Sequence, residues 1–226
     1  MEKNNVPYYT RLSSAWRDAW TDKLFRFKLL LVPGIFFIYS SLTQHLGNYV
    51  QARNGVRLND ALLYLFPSID FSAPIFLLLY SSLFIILLTH LSNPRVVLRV
   101  LEMHLLVAIV RQACILMVAL EPPSGIIVLH DMFLENTVYP HNSPLTKDLF
   151  FSGHVASIWI YFLCAVKKHI KLYLGIASLL MCFMVLCMRI HYTYDVYGAF
   201  FFTTLIYFTP AWIRNNAISF RQQMQQ

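Results

Sequence analysis

Two short motifs place histidines and a carboxylate beside apolar segments. A Ser-Gly-His triplet ends at His154, and a His-x-x-x-Asp motif runs from His191 to Asp195. If the second motif is helical, its histidine and aspartate lie one turn apart on one face. A carboxylate bonded to one imidazole nitrogen fixes the tautomer and makes the other nitrogen a better nucleophile. A second histidine can then donate a proton to the leaving oxygen.

Ser152 and Gly153 add a feature that suits phosphate. At the start of a helix they would leave backbone N–H groups free, and a helix N-terminus favours an anion. Together with the two histidines and the carboxylate, this pattern is typical of phosphoryl transfer through a phosphohistidine intermediate. One histidine at a membrane edge is more often structural, but the coincidence of both motifs favours function. The trio could also hold a metal ion, although no other feature of the sequence calls for one.

The segments that carry these motifs have the composition of membrane spans. Of the 226 residues, 58% are hydrophobic and 13% are charged, and the mean hydropathy is +0.55. Crossing a bilayer takes about 20 apolar residues. Six charge-poor runs are predicted as spans, near residues 27–46, 72–91, 96–120, 150–166, 170–190 and 193–213. The sequence therefore predicts an all-α, polytopic membrane protein with six transmembrane helices.

These spans form one predicted catalytic domain, residues 23–213, between two polar segments. Residues 1–22 are predicted as a cytoplasmic interfacial segment, because Trp16 and Trp20 recur one turn apart among charged residues. A solvated tail with scattered aromatic residues is the alternative. Residues 214–226 are predicted as a cytoplasmic tail. The long connection 121–149 is predicted to be a lid or a substrate rim.

The distribution of lysine and arginine predicts the orientation of the helices. With the N-terminus in the cytoplasm, thirteen basic residues lie on the cytoplasmic side and four on the other side. Because positive residues concentrate on the cytoplasmic side, both termini are predicted there and both histidine motifs on the opposite face. We attribute the net charge of +7 to this topology and to contact with anionic lipid. No nucleic-acid partner is expected.

The residues of the two motifs resemble a known family. The Phe-Ser-Gly-His run and the segment from His191 to Val196 are similar to the two catalytic motifs of the sphingomyelin synthase family. That family is a C-terminal-type branch of the type-2 phosphatidic acid phosphatase superfamily. Arg111 ahead of a proline-rich exit and Asp60 in Leu-Asn-Asp match two further family segments. The resemblance covers most of residues 57–205.

The resemblance implies a role for each matching residue. His191 would be the nucleophile, Asp195 would orient it, and His154 would be the second acid/base. The other matching residues are expected in substrate binding: Asp148, Arg111, Ser152, Gly153, Asp60 and Tyr192.

Arg111 is an intramembrane cation whose partner the sequence leaves open. A buried guanidinium needs an anion. That anion could be a lipid phosphate, or it could be a carboxylate such as Asp60 or Asp148.

Departures from the family pattern bear on the substrate. Val155 stands where the family usually has threonine, and Val185 stands where the phosphatase branch usually carries an arginine. The resemblance therefore implies transfer of a phospho-alcohol head group, of phosphocholine or phosphoethanolamine type, from a phospholipid to ceramide or diacylglycerol. No cofactor is expected.

Two other functions stay open. With water as acceptor, the same site would be a lipid phosphatase or a phospholipase C-like hydrolase. A small membrane transporter or scaffold is the alternative of another class, but the polar residues gather at one membrane face instead of lining a path across it. The head group, the acceptor and a homo-oligomeric state are left open. The compact chain suits a bacterial plasma membrane.

Overall fold

Helices make up most of the described part of the chain. The computed structural model describes residues 7–130 and 145–223, so part of the predicted rim falls outside it. The helices in these ranges are α1 (Tyr8–Thr21), α2 (Lys23–Ala52), α3 (Ser72–His90), α4 (Pro94–Met117), α5 (Gly153–Cys164), α6 (Lys168–Cys187) and α7 (Thr193–Gln223). A short 3-10 helix spans Leu63–Leu65. The all-α prediction is confirmed for these ranges.

Four of the described helices are long and apolar enough to cross a membrane. They are α2, α3, α4 and α6. Helix α5 has 12 residues, which rise only about 18 Å against a hydrocarbon core of about 30 Å. Side chains of α7 are described only as far as Thr209. The long apolar helices indicate an integral membrane protein, while the count of six spans stays a prediction.

Helix α1 packs on the body of the protein. Ala19 is buried with Phe25 of α2 and Leu98 of α4, and the indole N–H of Trp16 donates to the Leu91 carbonyl at 2.9 Å. Trp20, on another face, is exposed. A helix in this segment agrees with the amphipathic pattern, and its contact with a membrane surface stays a prediction.

Helix α5 lies at the centre of the bundle. It packs against α3, α4, α6 and α7, and its residues Val155, Ile158 and Ile160 are almost completely buried. Ser152 ends the preceding loop by accepting the Val155 N–H with its hydroxyl oxygen. A helix surrounded on all sides by other helices needs apolar residues on every face, which explains its composition.

The ends of the helices are tied together where α2 and α4 end and α5 and α7 begin; we call this the motif end. The Arg53 guanidinium donates to the carbonyl oxygens of Ile115, of Leu116 at 2.8 Å and of Val118 at 3.0 Å. These carbonyls have no intrahelical partner at a helix C-terminus. Just beyond, Val56 forms an isolated parallel bridge with Leu120. The motif end is therefore a hydrogen-bonded layer.

Candidate functional site

His191 and Asp195 form a buried pair at the motif end. The distance from His191 Nδ1 to Asp195 Oδ2 is 3.2 Å, and the two side chains are 4% and 0% exposed. Asp195 Oδ2 also accepts the N–H of Tyr192, the residue before α7, at 2.9 Å. An acidic side chain in the first turn of a helix reaches back to the capping residue in this way and is favoured by the helix dipole. The start of α7 therefore orients the carboxylate toward the imidazole.

The pairing determines which nitrogen of His191 can react. An ionised carboxylate can only accept a hydrogen bond, so Nδ1 carries the proton. Nε2 then has a free lone pair, and it makes no hydrogen bond to residues 7–130 or 145–223. This tautomer suits a nucleophile or a general base.

The Ser-Gly-His motif adjoins this pair. The Ser152 N–H donates to the Asp195 carbonyl at 3.1 Å, and the Phe151 ring stacks on Phe202 of α7 at 5.2 Å. The prediction of a free amide at Ser152 is therefore wrong, because that amide bonds to α7. His154 follows in the first turn of α5, where its ring meets Phe76 of α3 edge-on at 5.8 Å. The fold thus joins motifs that are 37 residues apart in sequence.

Arg111 forms an ion pair with Asp148. The Arg111 guanidinium lies 2.9 Å from Asp148 Oδ2, and its Nε–H donates to the Phe151 carbonyl at 2.6 Å. Of the two alternatives that the sequence left open, the structure contains the carboxylate pair. Gly153 permits this packing, since a Cβ there would lie 3.3 Å from Arg111 Nε.

A cavity of about 80 Å³ lies between α2 and α4 beside this ion pair. Tyr39, Thr43, Gln51 and Gln112 contribute polar side chains to its lining. The Tyr39 hydroxyl donates to the Ala108 carbonyl at 3.3 Å. Apolar side chains such as Ile115 complete the lining, and a partly polar cavity next to a charge pair suits a hydrated or charged ligand group.

Asp60 and Tyr192, both expected in substrate binding, contact protein groups in this structure. Asp60 Oδ2 accepts the N–H of Thr193 at 2.7 Å and also its hydroxyl. The Tyr192 hydroxyl donates to the Glu121 carbonyl at 2.8 Å and accepts the Leu58 N–H at 3.2 Å. Burial raises the pKa of Tyr192 above its ordinary value of 10.0, and the hydrogen bond from the Leu58 amide offsets only part of that shift.

One ion pair of the motif end was not predicted from the sequence. Lys147 Nζ lies 2.8 Å from Glu121 Oε1 and donates to the Arg53 carbonyl at 2.7 Å. The Lys147 hydrogen bond, followed by one from the Gly55 amide, lowers the pKa of Glu121 below its ordinary value of 4.5. The sequence did contain a signal for this pair, because Glu121 and Lys147 have opposite charges and both lie in segments predicted at the same membrane face.

Comparison with known proteins identifies the region that carries this site. Residues 147–211 match the family model described as PAP2 superfamily C-terminal. No curated protein and no solved structure shows a significant match. The matched region contains both histidine motifs and supports the type-2 phosphatidic acid phosphatase superfamily. The match to this superfamily supports, in general terms, an enzyme that transfers or hydrolyses lipid phosphoryl groups.

Proposed function

We propose that this protein is a lipid phosphotransferase that works through a phosphohistidine on His191. The observation that carries the proposal is the buried His191–Asp195 pair, which leaves Nε2 with a free lone pair beside the Ser-Gly-His motif. It moves a phospho-alcohol head group, of phosphocholine or phosphoethanolamine type, from a phospholipid to ceramide or diacylglycerol.

The reaction has two displacements at phosphorus. In the first, His191 Nε2 forms a bond to phosphorus while the bond to the glycerol oxygen breaks, and His154 protonates that oxygen to release diacylglycerol. In the second, His154 removes the proton of the acceptor hydroxyl, whose oxygen attacks phosphorus while the N–P bond breaks. Asp195 stabilises the positive charge that develops on the imidazole between the two steps.

The surroundings of the site support a diester substrate. A phosphodiester carries one negative charge, whereas a phosphomonoester near neutral pH carries between one and two. The Arg111 charge is already balanced by Asp148 at 2.9 Å, and Val185 is an apolar, fully buried residue where the phosphatase branch usually has a cation. The cavity beside Arg111 would take the head group.

The membrane arrangement belongs to the same proposal. Helix α5 is short but central, and α7 completes the bundle beside it, so we infer that both cross the membrane and make six spans. The lysine and arginine distribution supports a motif end on the non-cytoplasmic face of the membrane. Phospholipid donor and lipid acceptor would both reach the site from the bilayer.

Hydrolysis is the second candidate. The match to a superfamily named for phosphatidic acid phosphatase favours it. The chemistry of the first displacement is unchanged, and water replaces the lipid hydroxyl in the second. The two candidates therefore differ in the acceptor, and a lipid phosphatase would also take a phosphomonoester donor such as phosphatidic acid.

Lipid mass spectrometry on the purified protein tests the proposal. The protein is incubated with mixed phospholipids, ceramide and diacylglycerol, and both lipid products and inorganic phosphate are measured. We expect a head-group-transfer product and an acid-labile phosphoenzyme, both lost in His191→Ala. His169→Ala, which changes an exposed histidine at the opposite end of the bundle, should keep full activity. Equal or faster release of inorganic phosphate from phosphatidic acid would favour the hydrolase instead.

A further inference from the structure

Asp60 lies far from both histidine motifs in sequence and yet holds the helix that follows one of them. Its side chain is 3% exposed. Oδ2 accepts the Thr193 N–H at 2.7 Å and the Thr193 hydroxyl, while Oδ1 accepts the Leu63 N–H at 3.2 Å. Both carboxylate oxygens are thus engaged by protein donors.

The residue that Asp60 holds is the first residue of α7. Thr193 lies between His191 and Asp195, and it is 8% exposed. The first N–H groups of a helix need partners from outside the helix. At the start of α7, one such partner is a carboxylate of the helix itself, since Asp195 accepts the Tyr192 N–H. Asp60 supplies the other carboxylate from 133 residues away in sequence.

The segment that contains Asp60 is itself fixed at several points. Val56 pairs with Leu120, with N–H···O distances of 3.0 Å on both sides of the bridge. The Leu58 N–H donates to the Tyr192 hydroxyl at 3.2 Å. A carboxylate on a segment anchored in this way can impose its position on Thr193.

We propose that Asp60 is a positioning residue that sets the geometry of the His191–Asp195 pair through Thr193. This rests on the proposed function, because a reacting pair must be held within fractions of an ångström. A misplacement of about 1 Å can cost a factor of about 10² in rate. Asp60 therefore acts on the catalytic step and makes no contact with the lipid.

Four single variants and one double variant test this in the purified full-length protein. Asp60→Ala removes the carboxylate, Thr193→Val removes only the hydroxyl, and Thr193→Ser keeps it. Asp70→Ala is the matched control, because Asp70 Oδ1 accepts the N–H and the hydroxyl of Ser72 at the start of α3, at 2.8 and 2.7 Å. Turnover of a phosphodiester lipid gives kcat and KM for each variant.

We expect kcat to fall about 100-fold in Asp60→Ala, with KM unchanged. The kcat of Thr193→Val should fall less, that of Thr193→Ser should stay close to the value of the unmodified protein, and that of Asp70→Ala should be unchanged. The Asp60→Ala/Thr193→Val double variant should be no slower than Asp60→Ala alone, since both act through one contact. A raised KM with an unchanged kcat would overturn the proposal and make Asp60 a substrate ligand. An equal loss in Asp70→Ala would also overturn it.

A readout that needs no turnover separates this inference from the proposed function. Nitrogen-15 NMR of labelled histidine reports the tautomer of His191 and the hydrogen bond of its Nδ1 proton. We expect the Nδ1–H signal to shift or broaden in Asp60→Ala and to stay unchanged in Asp70→Ala. An unchanged His191 signal in Asp60→Ala would refute the positioning role. Full activity of His191→Ala would refute the phosphohistidine mechanism and leave the NMR result standing.

Discussion

Asp195 serves two neighbours with a single oxygen atom. Oδ2 accepts from His191 Nδ1 and from the Tyr192 amide, whereas the buried Oδ1 has no hydrogen-bond partner among residues 7–130 and 145–223. The charge of this carboxylate is thus only partly compensated at rest. A cation that forms on His191 would complete the compensation, which is how a site prepared in advance favours a charged intermediate.

Asp195→Asn separates the two functions of this side chain. The amide oxygen can still accept the Tyr192 N–H, so we expect α7 to begin normally and the protein to stay folded. Without the negative charge, the neutral imidazole is no longer held in the reactive tautomer and the imidazolium is no longer stabilised. Activity should therefore fall by about 10⁴-fold, as when a triad carboxylate is neutralised. Turnover of a phosphodiester lipid and thermal unfolding in detergent measure the two effects. Near-normal turnover would show that His191 needs no orienting carboxylate.

His154→Ala tests the proton donor by changing the leaving group. A proton donor typically supplies about 10²–10⁴-fold when the leaving group is a poor one. Nitrophenolate leaves without protonation, so we expect His154→Ala to be much less impaired on a nitrophenyl phosphodiester than on a natural lipid. Parallel kinetics on both substrates, with His191→Ala inactive on each, provide the measurement. An equal loss on both would assign His154 to substrate binding or folding instead.

At the scale of elements, hydropathy predicted where the helices are and missed how they end. The predicted first span, 27–46, became Lys23–Ala52 because the Asp22 carboxylate accepts the N–H of Leu24 at 2.9 Å and caps the helix earlier. The predicted fourth span, 150–166, shortened to α5 because Ser152 caps it. Caps decide such limits, and an average over an apolar run does not detect them.

In the candidate site, too, local features could be predicted from the sequence and long-range contacts could not. Spacing predicted the local pair His191 and Asp195 on the assumption that both lie in one helix. Helix α7 begins only at Thr193, so the pair forms because Asp195 in the first turn reaches back toward the residues before the helix. The partners of Asp60 and Arg53 could not be, because these contacts join segments more than 60 residues apart. Which loops meet depends on how the helices pack against one another. No periodicity in the sequence indicates that packing.

Gly55→Ala should break the layer that ties these loops. A Cβ at Gly55 would lie 2.6 Å from the Leu120 carbonyl carbon and 2.9 Å from the Glu121 amide nitrogen. Backbone atoms cannot move aside as a flexible side chain can, so we expect a loss of stability of about 1–3 kcal/mol. Thermal unfolding in detergent measures it. Gly34→Ala is the control: it meets nothing within 4 Å inside α2 and should be neutral or slightly stabilising. Equal melting of the two variants would contradict the close approach.

The ion pair of Glu121 and Lys147 predicts a pH dependence of stability. Its hydrogen bonds lower the pKa of Glu121 below 4.5 in the folded protein. A group of this kind stabilises the fold above its unfolded pKa and loses that contribution as the pH falls through the folded pKa. The melting-temperature difference between the unmodified protein and Glu121→Gln should therefore be constant well above pH 4.5 and shrink as the pH falls below 4.5 toward the lower pKa of the folded protein. A difference that grows on acidification would contradict this sign.

At the scale of the whole molecule, charge and polarity are distributed unequally between the two ends of the bundle. The motif end contains the histidine pair, the Arg111–Asp148 pair and the Glu121–Lys147 pair. Basic residues concentrate at the opposite end. A single reactive layer supplied with lipid from the bilayer fits this arrangement better than a transport path, which would need polar groups through the full thickness.

Labelling of single cysteines tests which side the motif end occupies. Ser68 precedes α3 and Ser92 follows it; both are exposed and lie at opposite ends of that helix. Because thirteen lysine and arginine residues lie toward the predicted cytoplasmic side and four toward the other, Ser68→Cys should react with a membrane-impermeant maleimide in intact cells. Ser92→Cys should react only after permeabilisation. The unmodified chain, whose four cysteines are buried or half-buried, gives the background. The reverse pattern would place the histidine motifs in the cytoplasm, where the donor lipid would have to come from the inner leaflet.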